Sequence, residues 1–390
     1  MRKDNTFQIL NANLVLENEV LKNTSIYIEE GKIKEIGNSV YPDIYTIYAD
    51  DYYVLPGFVD LHCDAIEKEI EVRPNVYIPI EIAITELDKK MAMAGITTIF
   101  HSISFAENFA NQAVLRTMSM ADKIIQKIKE MSEKLGVDNR IHLRYEITYT
   151  DAIPVIEELI KKSYIDLLSI MDHTPGQGQF KTFEQFKNYY QSHFKENSDQ
   201  IQLVIENKQR SRESFGLYNA RKVSEMCKRY NIPLASHDDD TIEKLNFVSE
   251  CGAVISEFPM SMEVAKYAHE NDIKVVVGSP NIVRGGSHNN NLSALDIIKS
   301  GYADIVCSDY IPSTLIYAFS KIYKENILSL PEISKMFSLN PAKAIKLENI
   351  GKIEKDYKAN LIVVDLKGEL PRIMKTFVNG VEVYSSCIIK

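Results

Sequence analysis

The stretch Val54-Leu55-Pro56-Gly57-Phe58-Val59-Asp60-Leu61-His62-Cys63-Asp64 begins as an apolar run and ends on His62, Cys63 and Asp64. Short runs of this composition read as buried strands, and we place one over 54–62. Side chains alternate along a strand, so His62 and Asp64 face one side together while Cys63 faces the other. Two ligand-type groups at i and i+2 are placed to grip one cation.

Downstream the rhythm recurs. Apolar runs at 96–102, 141–147, 167–173, 233–237, 254–258, 275–278 and 305–309 alternate with stretches of helical period, among them 113–135, 219–230 and 262–271. Strands alternating with helices predict a parallel sheet, and a closed (β/α)8 barrel needs about 250 residues. The expected fold class is α/β, a TIM-like barrel over 54–345. Both ends of the 390-residue chain are left over. Residues 7–36 read as strands with a hairpin turn at Glu30-Gly31-Lys32, and 350–384 as strands around the turn Asn379-Gly380. They predict a small composite β-sandwich domain built from 1–53 and 346–390. The polar segment 176–213 is too long for a simple βα connection and predicts a helical insertion over one end of the barrel.

Composition excludes several functions. Hydrophobic residues at 45% and charged residues at 25% match a folded globular chain rather than a disordered one. No apolar run reaches about 18 residues and the N-terminus lacks a signal-peptide stretch, so neither a membrane span nor secretion is expected. The cysteines number 5, scattered and without a C-x-x-C pair, which argues against a disulfide framework or a thiolate zinc knot and suits a reducing cytoplasm. A formal net charge of -9 with no Lys/Arg block disfavours a nucleic-acid partner. Self-association stays open.

Reacting groups in such a barrel collect at the C-terminal ends of its strands. There the sequence places His62 with Asp64, Glu146, His173, His237 and Asp309. On the third strand His142, Arg144 and Glu146 share one parity and Leu143, Tyr145 and Ile147 the other, so the apolar set packs on helices and Glu146 enters the barrel mouth. A single strand-end histidine is as often a satisfied structural residue as a ligand. Several strand ends carrying ligand types together favour a metal site. Whether His101, Asp172, Asp238, Glu257 or His288 belongs to it stays open.

After the seventh strand, Arg284-Gly285-Gly286-Ser287 offers a guanidinium beside flexible backbone N–H groups, the makings of an anion nest or of a plain glycine turn. Lys68 and Arg73, isolated after the first strand, are further phosphate-binding candidates, whereas Lys208, Arg210 and Arg212 in the insertion are placed either to close over a polyphosphate or, the reading preferred here, to form a solvated helix face.

These residues carry a resemblance. Leu55 through His62 is similar to the first-strand signature of the amidohydrolase superfamily, and Asn340-Pro341-Ala342-Lys343-Ala344, Gly351-Lys352-Ile353 and 359–365 resemble the tail by which its members re-enter their sheet domain. Within it, His142-Leu143-Arg144-Tyr145-Glu146, Met171-Asp172-His173-Thr174-Pro175-Gly176-Gln177, Ala235-Ser236-His237-Asp238-Asp239, Ser256-Glu257-Phe258-Pro259, 280–288 and Ser308-Asp309-Tyr310 resemble a narrower group. It comprises the diphosphatases of the carbon–phosphorus lyase pathway, which act on α-D-ribose 1-methylphosphonate 5-triphosphate. The resemblance implies a metal-dependent hydrolase that cleaves this phosphorylated sugar to the 5-phosphate and pyrophosphate. It implies two divalent metal ions (Zn, Mn or Mg) held by His62, Asp64, His173 and His237, with Asp309 taking the proton of the attacking water. His-x-Asp replaces the superfamily's usual His-x-His and no lysine ends the fourth strand, an arrangement similar to renal dipeptidases, so Glu146 is expected to bridge the ions. The alternative is an amidohydrolase acting on a C–N bond, a cyclic amidase or deacylase, which has no need of an anion nest at 284–287.

Overall fold

A computed structural model describes residues 5–105, 114–176, 184, 186–187, 198–286 and 292–386, and in it the run at 54–62 divides at Gly57. Tyr53–Pro56 joins a sheet made by the two ends of the chain, while Phe58–Cys63 begins a barrel.

The terminal sheet is continuous and 8-stranded. Tyr53–Pro56 lies antiparallel to Leu361–Asp365 on one side and parallel to Phe7–Val15 on the other. Both expected hairpins form, Val20–Glu29 with Lys32–Gly37 and Arg372–Val378 with Val381–Ser385. Their turns carry consecutive left-handed residues, Glu30-Gly31 and Asn379-Gly380, the geometry whose twist matches that of paired strands. Phe7 stacks on Phe377 at 4.7 Å, and Ile9, Leu14, Ile28 and Leu361 are buried in the same cluster, so N- and C-terminal segments share one core.

The barrel strands follow in chain order as neighbours: Phe58–Cys63, Ile96–Phe105, Asp138–Glu146, Leu167–Met171, Leu234–His237, Ala253–Glu257, Lys274–Gly278 and Ile305–Cys307. Their ladder closes where the Asp64 N–H donates to the Asp309 carbonyl at 2.7 Å and the Asp309 N–H to the His62 carbonyl at 2.9 Å. Helices such as Met118–Met131, Leu217–Tyr230 and Met262–Glu270 bury apolar stripes against the outer face. The segment 176–213 lies partly outside the described residues; within it the helix Ser198–Ser211 runs through a π-helical turn at Arg212–Gly216 into Leu217–Tyr230. No described helix is long and apolar enough to cross a membrane.

Alternation sorts most barrel strands into two faces. Leu61, Phe100, Leu167, Ala235, Ile255 and Ile305 pack together inside as an apolar plug. Two residues beyond Ala235 and Ile255 come His237 and Glu257, so the interior turns polar towards its C-terminal mouth. The first strand breaks strict alternation. Its pairing shifts register between Asp60 and Cys63, which lets Leu61 join the plug, sends Cys63 to the helices and leaves His62 and Asp64 in the cleft above.

Gly57 makes the handover from sheet to barrel. Its N–H donates to the Asn360 carbonyl at 2.9 Å, and a Cβ there would overlap the Thr97 side chain. Gly57→Ala is therefore expected to lower the unfolding free energy by about 1 to 3 kcal/mol, the range for overpacked cores. Urea denaturation reads this as a lower midpoint at unchanged slope; an unchanged midpoint would mean that Thr97 turns aside at no cost.

Candidate metal centre

The polar strand ends meet in a cleft of about 250 Å³ lined by His62, Asp64, Arg144, His237, Asp238 and Asp309, with Phe258, Tyr310 and Arg284 also on its walls. Ligand-type atoms form three overlapping groups, each within 4.8 Å: His62, His237 and Glu257; His173, His237 and Asp238; His62, Asp64 and Asp309. Residues from the first, fourth, fifth, sixth and eighth strand ends are thus brought together.

Two of the histidines are each held by a buried carboxylate. His62 Nδ1 lies 2.9 Å from Glu257 Oε1, and its Nε2 faces Asp64 Oδ1 at 3.6 Å. His173 Nδ1 lies 2.8 Å from Glu146 Oε2, its backbone N–H donates to Glu146 Oε1 at 3.0 Å, and its Nε2 faces Asp238 Oδ2 at 3.6 Å. A carboxylate on one ring nitrogen fixes the tautomer and frees the other nitrogen to ligate. Glu146, expected between two cations, instead has both oxygens on His173 and belongs to none of the three groups found among the described residues.

Electrostatics keep these carboxylates charged. Burial pushes Glu146 up, but the charges of Lys208 and His173 outweigh it and hold the carboxyl at about 2. Glu257 behaves alike, burial being outweighed by His142 and His62, again at about 2. Lys208 is therefore no solvated side chain: it is buried, with its charge acting on Glu146. Arg212 donates to Asp172 Oδ2 at 2.6 Å, which leaves exposed Arg210 as the one member of that trio matching the expectation.

The chain leaves the fifth, sixth and eighth strands through residues of positive φ, Asp238 at 51°, Phe258 at 56° and Asp309 at 58°. Such backbone is uncommon outside glycine and clusters at sites where side chains are re-aimed. Here both aspartates face the cleft. Burial pushes Asp309 up to about 6 against the downward pull of His62. For Asp238 burial loses to His237 and His173, and the carboxyl falls well below its usual range.

The donor set fits divalent cations of the kind that imidazole and carboxylate bind. Glu257 Oε2 is buried without a hydrogen-bond partner among the described residues, a costly condition that ligation relieves.

Several residues whose membership the sequence leaves open now find their places. Glu257 and Asp238 belong to the cluster. Glu257 escapes the strand-end rule because the sequence reading carries the sixth strand through Phe258, whereas it stops one residue earlier. His101 turns outward, with Nε2 2.7 Å from Asn139 Oδ1, and Asp172 anchors Arg212. Arg144 shares its inward parity with Glu146, but its partners Asp64 and His237 lie 80 and 93 residues away. His288 lies outside the described residues.

The phosphate-binding candidates divide. Arg284 lines the cleft. The N–H groups of Gly285 and Gly286 both donate to the Asn281 carbonyl, at 3.1 and 3.2 Å, and so cap the helix Ser279–Arg284. With Gly285 at φ 79° this is a glycine helix terminus, and its amides are spent within the chain rather than offered to an anion. Ser287 lies outside the described residues. Lys68 is exposed, its Nζ 4.9 Å from the centre of the Tyr310 ring on the cleft wall. Arg73 is exposed on a two-stranded ribbon, Glu71–Arg73 with Val76–Tyr77, and does not line the cleft.

Residues 53–384 match the amidohydrolase family. The chain is 32% identical over 364 residues to the alpha-D-ribose 1-methylphosphonate 5-triphosphate diphosphatase of Escherichia coli (strain K12), which covers 92% of this chain and 95% of that protein. It is 25% identical to a 5-methylthioadenosine/S-adenosylhomocysteine deaminase of Clostridium tetani, over 90% of this chain and 82% of the other. Among solved structures, a beta-aspartyl dipeptidase of Fervidobacterium islandicum superposes with a TM-score of 0.63 at 16% identity, covering 99% of this chain and 98% of that one. An N-acetylglucosamine-6-phosphate deacetylase of Pasteurella multocida gives 0.62 at 14% identity, with 96% and 98% covered. These two likenesses concern the fold. The family match runs through the barrel and into the terminal sheet, and the chain accordingly belongs to the amidohydrolase family of hydrolases.

Proposed function

We propose that this hydrolase cleaves α-D-ribose 1-methylphosphonate 5-triphosphate to the 5-phosphate and pyrophosphate. The relationship to the Escherichia coli diphosphatase across 92% of the chain carries the reading. A cleft that sets a carboxylate- and imidazole-rich cluster beside Arg144 and Arg284 supports it.

In this reading His62, Asp64, His173, His237 and Asp238 hold two divalent cations. Bound there, such ions lower the pKa of water and neutralise charge on phosphoryl oxygens. The chain's own groups do the rest. Glu257 and Glu146 keep the rings of His62 and His173 turned for ligation. Asp309, raised towards neutrality by burial, takes the proton of the attacking water. Arg284, on the cleft wall, supplies a guanidinium for the phosphate. Because Gly285 and Gly286 spend their amides on a helix end, phosphate recognition rests on side chains here. That observation keeps the C–N hydrolase reading in competition, since the expected anion nest was the feature that argued against it.

Phosphorus NMR of the metal-replete protein with the triphosphate is expected to show pyrophosphate and the 5-phosphate in equal amounts. Orthophosphate release, or no turnover of triphosphate beside hydrolysis of a cyclic amide, would overturn the reading. Arg284→Ala is expected to leave metal content intact while kcat/KM falls by about 2 to 4 kcal/mol in transition-state terms. Asp309→Asn should lower kcat with a smaller effect on KM.

Glu146→Gln separates an orienting carboxylate from a bridging one. Loss of an orienting partner weakens metal affinity by about 10- to 100-fold, so chelator competition should show that loss while saturating metal still fills the sites. Failure to load metal even at saturation would restore Glu146 as a bridge.

A further inference from the structure

Arg144 extends inward from the third barrel strand with its side chain 8% exposed. Its Nη1 donates to both oxygens of Asp64, at 3.2 and 3.1 Å, and its Nη2 lies 3.0 Å from His237 Nε2. A guanidinium has only donors. His237 Nε2 must then be the acceptor, and the ring carries its proton on Nδ1, which faces Asp238 Oδ2 at 3.2 Å. Arg144 thus engages the single lone pair of His237 Nε2 and both oxygens of Asp64, atoms by which these residues would ligate a cation. His173 and Asp238, on the other side of His237, take no hydrogen bond from it among the described residues. The third nitrogen of the same guanidinium, Nε, is buried without a hydrogen-bond partner among the described residues, so the group is incompletely satisfied there.

We propose that Arg144 competes with one of the two cations, the one on the His62 and Asp64 side of the cleft, and that an anionic phosphate group entering the cleft relieves the competition by giving the guanidinium a new partner. This rests on the metal-binding part of the proposed function and not on the identity of the triphosphate. Arginine stays protonated throughout the neutral range, so deprotonation offers no escape and the cation must displace the side chain. The cation beside His173 and Asp238 meets Arg144 only through His237, since neither of those two residues accepts from it among the described residues. Because coupling between two ligands is reciprocal, a phosphate that draws Arg144 away strengthens the second cation, and that cation strengthens phosphate.

The test counts Mn²⁺ on chelator-treated full-length protein by the EPR signal of the free ion, with and without inorganic phosphate. Wild type is expected to bind one Mn²⁺ tightly and a second at least tenfold more weakly, with phosphate tightening the second. Arg144→Met should bind two ions with similar affinity and no phosphate dependence. Arg144→Gln, which keeps a donor without the charge, should behave likewise, and the phosphate effect on wild type needs no variant. Two equal sites in wild type with no phosphate effect, or a second site weakened by Arg144→Met or Arg144→Gln, would overturn the competition while leaving the metal reading intact. No Mn²⁺ binding at all would overturn both.

Discussion

Two backbone hydrogen bonds between the first and eighth barrel strands, from Asp64 to Asp309 and from Asp309 to His62, hold together the part of the molecule on which the cleft depends. They place ligand-type residues almost 250 positions apart in one cluster without any flexible side chain having to span the gap. Asp60 adds a buried stitch at the same seam. Its Oδ1 accepts from the Ser308 N–H at 3.0 Å, and burial pushes its carboxyl up to about 6. Eight parallel strands leave no other place where the ring can close.

Closure also concentrates charge. Asp64, Glu146, Asp238, Glu257 and Asp309 gather above an apolar plug, where water screens them poorly. The fold answers with cations from several elements. Arg144 enters from within the barrel, and Lys208 reaches in from the helix Ser198–Ser211. That helix therefore forms part of the electrostatic environment of the cluster. Arg212 fixes its end to the fourth strand through Asp172. Buried carboxylates stay ionised only beside such partners.

The terminal sheet bears on the cleft through one short segment. Tyr53–Pro56 is held between strands from both ends of the chain, and Gly57 passes directly from it into the strand that carries His62 and Asp64. Whatever fixes that sheet also fixes where the first barrel strand begins.

Alternating apolar and helical periods determined the barrel, and the residue types at strand ends determined which chemistry it carries. Both are local properties, set by side-chain direction along a strand and by what each side chain can ligate. Arg144 and Glu146 were legible as inward-facing for the same reason. Their partners were not. Glu146 on His173, Arg144 on Asp64 and His237, and Glu257 on His62 join positions 27, 80, 93 and 195 residues apart. The glycine pair at 285–286 likewise held two local meanings, nest or helix cap, and only the carbonyl of Asn281 chose between them. Local period states which way a side chain points; the closed barrel decided what stands opposite it, because the competing partners for each buried charge come within reach only when all eight strands are in place.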